Sequence, residues 1–397
     1  MTKKVSTPAI RFNGFTDTWE QRKLGELALF NPKDELPQTF EYVDLESVVG
    51  TEMLSHRTEI KSSAPSRAQR LACTGDIFYQ TVRPYQKNNY LFEISDNNYV
   101  FSTGYAQMRP FVDGYFLFSL IQSERFVKVV LDNCTGTSYP AINVNDLAKI
   151  EVAVPSGENE AHKIGTIFRS LDHLITLHQR KYDKLTNVKK SMLEKMFPKN
   201  GSNVPEIRFK GFTDAWEQRK LGEVSESYSG GTPSVGVKEY YGGQIPFIRS
   251  AEINSEITEL SLTEGGLKNS SARLVDVEDI LYALYGATSG EVGRARLKGA
   301  INQAILVIKP HAGYDSEYLA QWLRKSKHSI IETYLQGGQG NLSGTIVKEL
   351  SVDFPLLKEQ QAIGNFFSQL DHLITLHQRK LEKLKNLKKA CLEKMFV

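Results

Sequence analysis

Apolar residues step by alternating threes and fours along two stretches of the chain. The first runs through Ile164, Phe168, Leu171, Ile175, His178, Tyr182, Leu185, Val188 and Met192. The second runs through Ile363, Phe367, Leu370, Ile374, His377, Leu381, Leu384, Leu387 and Cys391. Such spacing marks a heptad seam on a helix, with the charged residues outside it. Residues 170–197 are rich in Leu, Lys, Gln, Glu and Met and contain no Gly or Pro, which predicts a long helix. About 30 helical residues reach roughly 45 Å at 1.5 Å per residue. One such helix alone is marginal in water, because its apolar stripe needs a partner. The other copy is the obvious partner, antiparallel if a pseudo-two-fold axis relates the halves. The alternative is two separate surface helices, each packed on its own half.

The rest of the chain has a different rhythm. Residues 76–82 (DIFYQTV) and 279–285 (DILYALY) read as strands. Residues 115–131 and 315–335 read as amphipathic helices. Each strand and each helix runs into a polar, mostly Gly-containing loop. These loops are 83–89 (RPYQKNN), 134–140 (CTGTSYP), 286–293 (GATSGEVG) and 337–344 (GGQGNLSG).

Self-similarity decides the organisation. Residues 10–26 (IRFNGFTDTWEQRKLGE) and 207–223 (IRFKGFTDAWEQRKLGE) agree at 15 of 17 positions. Residues 170–197 and 369–396 agree at 21 of 28. The chain is therefore a duplication with a period near half its length, not a solenoid of many short units. Between the repeats, residues 27–155 and 224–355 share only scattered features. Even drift after duplication would erode all segments alike. Near-identical frames around divergent inserts point instead to one shared scaffold role and two different recognition roles.

Composition adds mainly exclusions. The net charge is only +3, so any basic surface must be local. The distal ends of the two predicted helices are such places. Residues 178–197 carry six Lys/Arg against two acids, a net of +4, and residues 377–396 carry seven against two, a net of +5. A solvated helix face is the plain reading of such a run, and contact with phosphate or a partner subunit is the sharper one. The three cysteines, Cys73, Cys134 and Cys391, are widely separated, which argues against a disulfide framework or a zinc site. His173, His178, His372 and His377 fall in pairs spaced i, i+5, wrong for one helix face, so burial in the seam is expected rather than metal binding. The first residues lack an apolar core for a secretory signal and no apolar run spans a membrane, so a cytoplasmic location is expected. GxGxxG, the phosphate-loop lysine motif and HExxH are all missing. Asn31-Pro32 is followed by Lys33, which breaks the Asn-Pro-Pro-aromatic pattern of a base-flipping amino-methyltransferase. No catalytic residue and no metal ligand is therefore assigned.

Several strings together are similar to the specificity subunits of type I restriction–modification systems. They are GGTPS at 230–234, EYYGGQIPFIRSAEI at 239–253, DILYALYGATSGEVG at 279–293, NLSG at 341–344 and FPLLKEQ at 354–360. The first half holds weaker counterparts, GDIFYQTVRP at 75–84 and VPSGENE at 154–160. The resemblance implies an α+β protein with two globular α/β target-recognition domains joined by two long antiparallel conserved helices. It would divide the chain into a first target-recognition domain (1–155), a first spacer helix and linker (156–200), a second target-recognition domain (201–355) and a second spacer helix (356–397). It further implies a non-catalytic subunit that reads a bipartite, asymmetric double-stranded DNA site. Its partners would be two modification (methyltransferase) subunits and the restriction (motor-nuclease) subunits. S-adenosylmethionine, ATP and magnesium would reside on those partners, with no cofactor on this chain. A stand-alone DNA-binding adaptor or regulator is the second reading.

Candidate DNA-contacting residues follow from loop position and chemistry. They are Arg57, Arg83, Tyr85, Lys87 and Thr137 in the first insert, and Arg249, Tyr285, Thr288, Arg294, Gln339 and Asn341 in the second. Side chains of these types bond to base edges and phosphates. Arg83, Arg249 and Arg294 rank highest, because one guanidinium can pair both acceptors of guanine.

Overall fold

The computed structural model describes residues 7–136, 138–199, 202–335 and 341–397. Its contacts divide into two compact units, one of residues 1–180 with 378–397 and one of residues 181–377. Each unit thus takes the first part of one long helix and the last part of the other.

The two long helices are Glu158–Lys195 and Leu357–Met395. At 38 and 39 residues, each is about 57 Å long at 1.5 Å per residue. They exceed the expected 45 Å because helix extends well upstream of the repeated segment.

In the first unit, Ile164, Phe168 and Leu171 are buried together with Met395 and Phe396, and Leu384, Cys391 and Leu392 pack against the same core. In the second unit, Ile363, Phe367 and Leu370 are buried with Met196 and Phe197, flanked by Leu185, Val188, Met192 and Leu193. In both, the early turns of one helix meet the late turns of the other, which is antiparallel packing. Reciprocal ion pairs mark it. Lys388 Nζ lies 2.5 Å from Asp172 Oδ1 in the first unit, and Lys189 Nζ lies 2.5 Å from Asp371 Oδ1 in the second.

Three sequence expectations on these elements change. Leu387 belongs to the apolar seam yet is 49% exposed, so the seam is interrupted there. His173 and His372 are exposed rather than buried. Five residues turn a helix through about 500°, so two histidines spaced i, i+5 cannot both face the seam. The predicted helix 115–131 is two helices, Gly114–Gln122 and Glu124–Asp132. Ser123 adopts an extended backbone and its hydroxyl accepts from Phe126 N at 3.2 Å, capping the second helix.

The inserts share one topology despite their divergent sequences. Each has a four-stranded sheet with the order Ala28–Phe30, Tyr105–Pro110, Ile77–Gln80, Tyr90–Leu91 in the first unit and Ser225–Ser229, Ile305–Pro310, Ile280–Ala283, Val292–Arg294 in the second. Each also has a second sheet, ordered Arg57–Ile60, Thr39–Val43, Tyr99–Ser102, Ala68–Leu71 and Leu260–Leu262, Tyr241–Ile248, Gly299–Ile301, Arg273–Val275. The central pair of the second sheet is parallel in both copies.

The near-identical repeat forms the collar between insert and helix. Its strands Glu20–Lys23 and Glu217–Lys220 pair antiparallel with Glu151–Val154 and Ser351–Phe354. Arg11 bonds Glu160 at 2.6 and 2.8 Å, and Arg208 bonds Glu359 at 2.7 Å through both oxygens. These are the bidentate forks that suit a guanidinium. Trp19 Nε1 also donates to Glu160 at 3.3 Å, whereas the equivalent Trp216 Nε1 is buried without a partner among the described residues. The helix ends plug the collars. Phe396 meets Trp19, Phe116 and Phe168, and Phe197 meets Trp216, Tyr318 and Phe367. Ile10 N donates to Lys394 O at 3.0 Å, as Ile207 N does to Lys195 O at 2.9 Å. Ile10 thus sits on the end of the second helix as Ile207 sits on the end of the first.

Candidate nucleic-acid interface

The loops that the sequence nominates come together in pairs. In the first insert, the segment after Ile77–Gln80 meets the segment after the helix Glu124–Asp132. Val82 and Thr135 both bridge to Ala141, and Arg83 N donates to Pro140 O at 2.8 Å. In the second insert the same two segments meet through a Tyr285–Asn341 bridge, with Leu342 N donating to Leu284 O at 2.9 Å. In both inserts these two segments are joined by a bridge beside a sheet in which one inner strand, Ile77–Gln80 or Ile280–Ala283, is fully buried.

Arg83 and Lys87 frame the first loop, and both sit in the left-handed region at φ 54° and 55°. That conformation is costly for a side chain with a Cβ, and more so before a proline, as Arg83 is. Between them Pro84–Gln86 forms a 3-10 turn that lifts Tyr85 to 49% exposure. The turn closes by Gln86 N to Arg83 O at 3.0 Å and Lys87 N to Pro84 O at 3.1 Å. Lys87 Nζ is anchored on Gln122 O at 3.0 Å and Glu124 at 2.6 Å. The Arg83 guanidinium lies over the ring of Tyr139, 4.5 Å from its centroid.

The other predicted residues fall into distinct settings. Arg57 stands on the second sheet, over the Tyr42 ring at 4.7 Å, and bonds Asp44 and Glu59 at 2.8 Å each. Arg249 directly follows the second-sheet strand Tyr241–Ile248 of its insert, where it bonds Glu252 at 3.0 and 3.1 Å and additionally Glu259. Those carboxylates, Glu252 first, push its guanidinium still further above its ordinary range. Arg294 is 11% exposed and bonded to Glu278 at 3.1 and 3.2 Å. It is less accessible than Arg249, whose side chain is 37% exposed. Tyr285 and Thr288 are half-buried at the paired loops and Asn341 is exposed there. Burial pushes the Tyr285 phenol up. Thr137 and Gln339 lie outside the described residues.

Sequence reasoning missed Tyr139, which is 64% exposed and meets Arg83 only because the loops fold together. It also missed a cleft of about 520 Å³ beside Arg249, lined by Lys238, Tyr241, Phe247 and Asn302. Lys238, Tyr241, Phe247 and Arg249 are close in sequence, but no local signal joins them to Asn302, which follows the strand Gly299–Ile301.

The family model for the type I restriction modification DNA specificity domain matches residues 16–187 and again 213–386. The chain belongs to that family. It carries one copy of the domain in each half, which accounts for the internal repeat. A type I restriction enzyme specificity subunit of Methanocaldococcus jannaschii, MjaIX, is 30% identical over 190 residues, covering 46% of this chain and 44% of the relative. This chain thus matches less than half the length of that relative. The HindI specificity subunit of Haemophilus influenzae is 21% identical over 375 residues, covering 76% and 81%. Among solved structures, the S subunit of a type I system from M. genitalium aligns over 99% of both chains with a TM-score of 0.66 at 15% identity. A chain from a type I R-M system, solved in work on its assembly and conformational transition, aligns over 96% of this chain and 98% of that one, with a TM-score of 0.51 at 22% identity. At these identities the structural likeness speaks for the α+β fold. No helix among the described residues is long and apolar enough to cross a membrane.

Proposed function

We propose that this chain is a non-catalytic specificity subunit that reads a two-part, asymmetric site on double-stranded DNA, one part with each insert. The carrying observation is the shared loop pairing. Two inserts of unlike sequence share one sheet order and one pairing of loop segments, each on a nearly identical collar. One small domain reads only a few base pairs. Two domains multiply discrimination, because each wrong pair costs about 1–3 kcal/mol.

The helices would dock two methyltransferase subunits and, for restriction, the motor-nuclease subunits. Exposed leucines support this. Leu174 and Leu177 are 39% and 38% exposed on the first helix, and the equivalent Leu373 and Leu376 are 40% and 38% exposed on the second. Two copies of one apolar patch suit two copies of one partner. S-adenosylmethionine, ATP and magnesium would be held by those partners.

The test is to replace residues 27–155 with the matching insert of another family member, together with the methyltransferase partner, and to map methylated sites by sequencing. One half of the methylated sequence should change while the other half stays. If both halves change, independent reading by the two inserts is wrong.

A further inference from the structure

Five of the candidate residues are basic, and four of them already have a carboxylate partner. Arg57 has Asp44 and Glu59, Lys87 has Glu124, Arg249 has Glu252 and Glu259, and Arg294 has Glu278. A guanidinium saturated by carboxylates must break those bonds before it can read a base. Arg83 differs. Among the described residues its side chain forms no hydrogen bond or ion pair, and its contact is the face of Tyr139. Contact with a ring face spends none of the N–H donors, and it holds the guanidinium in place before any ligand arrives.

The backbone points the same way. Arg83 keeps a left-handed conformation, unfavourable for a residue that precedes proline, with φ 54° and ψ 55°. Strain of this kind persists only where its surroundings enforce it, and it concentrates at functional positions. Here the enforcement comes from Pro140 O on Arg83 N, the Pro84–Gln86 turn, and the anchored Lys87. A solvated surface arginine needs none of this.

We infer that Arg83, seated over the Tyr139 ring, reads a guanine in the half-site of the first insert, and that Tyr139 is a positioning residue for that reading. The inference rests on the proposed function and narrows it to one base and one pair of side chains. The fork of a guanidinium matches guanine O6 and N7. A phosphate contact would need neither a pre-placed guanidinium nor a strained backbone.

The experiment uses the full chain with its methyltransferase partner, acting on a plasmid library with randomised candidate sites, read out by sequencing of methylated adenines. Tyr139→Ala should relax a single guanine position in one half-site, with methylation at sites lacking that guanine rising by about tenfold relative to sites that have it. The other half-site should be unchanged, which controls for folding. Tyr139→Phe keeps the ring and should restore the preference. Arg83→Gly relieves the left-handed backbone, so it should leave the unfolding midpoint equal or higher while abolishing preference at the same position. An unaltered motif in Tyr139→Ala and Arg83→Gly would overturn the inference while leaving the parent reading standing. So would a uniform loss at all sites with a weaker salt dependence, the mark of a phosphate contact. A wild-type complex whose methylation shows no two-part motif would overturn the parent reading, and this one with it.

Discussion

Arg11 and Arg208 occupy the same place in the repeated motif, and each closes on a glutamate nearly sealed from water. Side-chain exposures are 13% and 3% for Arg11 and Glu160, and 15% and 1% for Arg208 and Glu359. Removing one partner of a buried pair strands the other, at a cost of about 3–5 kcal/mol. Arg208→Ala should therefore lower the midpoint of urea unfolding strongly, whereas the paired replacement Arg208→Met with Glu359→Leu should recover most of the loss. A mild single variant would show that water reaches the pair. The sequence displays Arg11 and Arg208 as repeated letters but hides their partners, which lie 149 and 151 positions along the chain. The candidate DNA contacts were legible to a similar depth. Residue type and loop position nominated Arg57, Arg249 and Arg294, but only the folded chain brings up the carboxylates that occupy them.

At the scale of elements, the long helices pass close to the inserts at one small residue each. A Cβ on Gly165 would lie 2.1 Å from Asp113 Oδ1 and 2.9 Å from Phe116 N, and one on Gly364 would lie 2.7 Å from Asp315 Oδ1 and 3.1 Å from Tyr318 N. Asp113 and Asp315 cap the insert helices that start there, accepting from Phe116 N at 2.9 Å and Tyr318 N at 2.8 Å. In an isolated helix, Gly to Ala gains about 1 kcal/mol. Here overpacking costs about 1–3 kcal/mol and disturbs a cap besides. Gly165→Ala should thus destabilise the protein in urea titration, and a stabilised variant would mean that the cap can move aside. Heptad spacing revealed the helices but not these contacts, because periodicity reports which face is apolar and not what approaches it. The same limit explains Leu387, apolar and in register yet exposed, and Ser123, whose capping hydroxyl splits a stretch with helical periodicity.

The whole molecule is assembled crosswise, each unit taking its insert, its collar and parts of both helices. The units divide between residues 180 and 181 on one helix and between 377 and 378 on the other. Because Phe197 and Phe396 each plug a collar, lengthening one helix alone would pull its plug out of place. A helical turn added at only one of these two points should lower the unfolding midpoint. Turns added at both should restore it and, on the proposed function, widen the unread gap between the two halves of the methylated sequence. An unchanged gap in the double insertion would count against the helices as a ruler.

The sequence by itself determined the duplication, the two long helices, the mixed class and the family, because each is written in local periodicity or in strings that recur within one chain. Tertiary structure alone decided that the divergent inserts share one sheet order, that each helix end seals the other half's collar, and which of the candidate arginines lacks a carboxylate partner among the described residues. Those outcomes depend on residues far apart in the chain meeting in space, and hydrophobic patterning carries no record of such meetings.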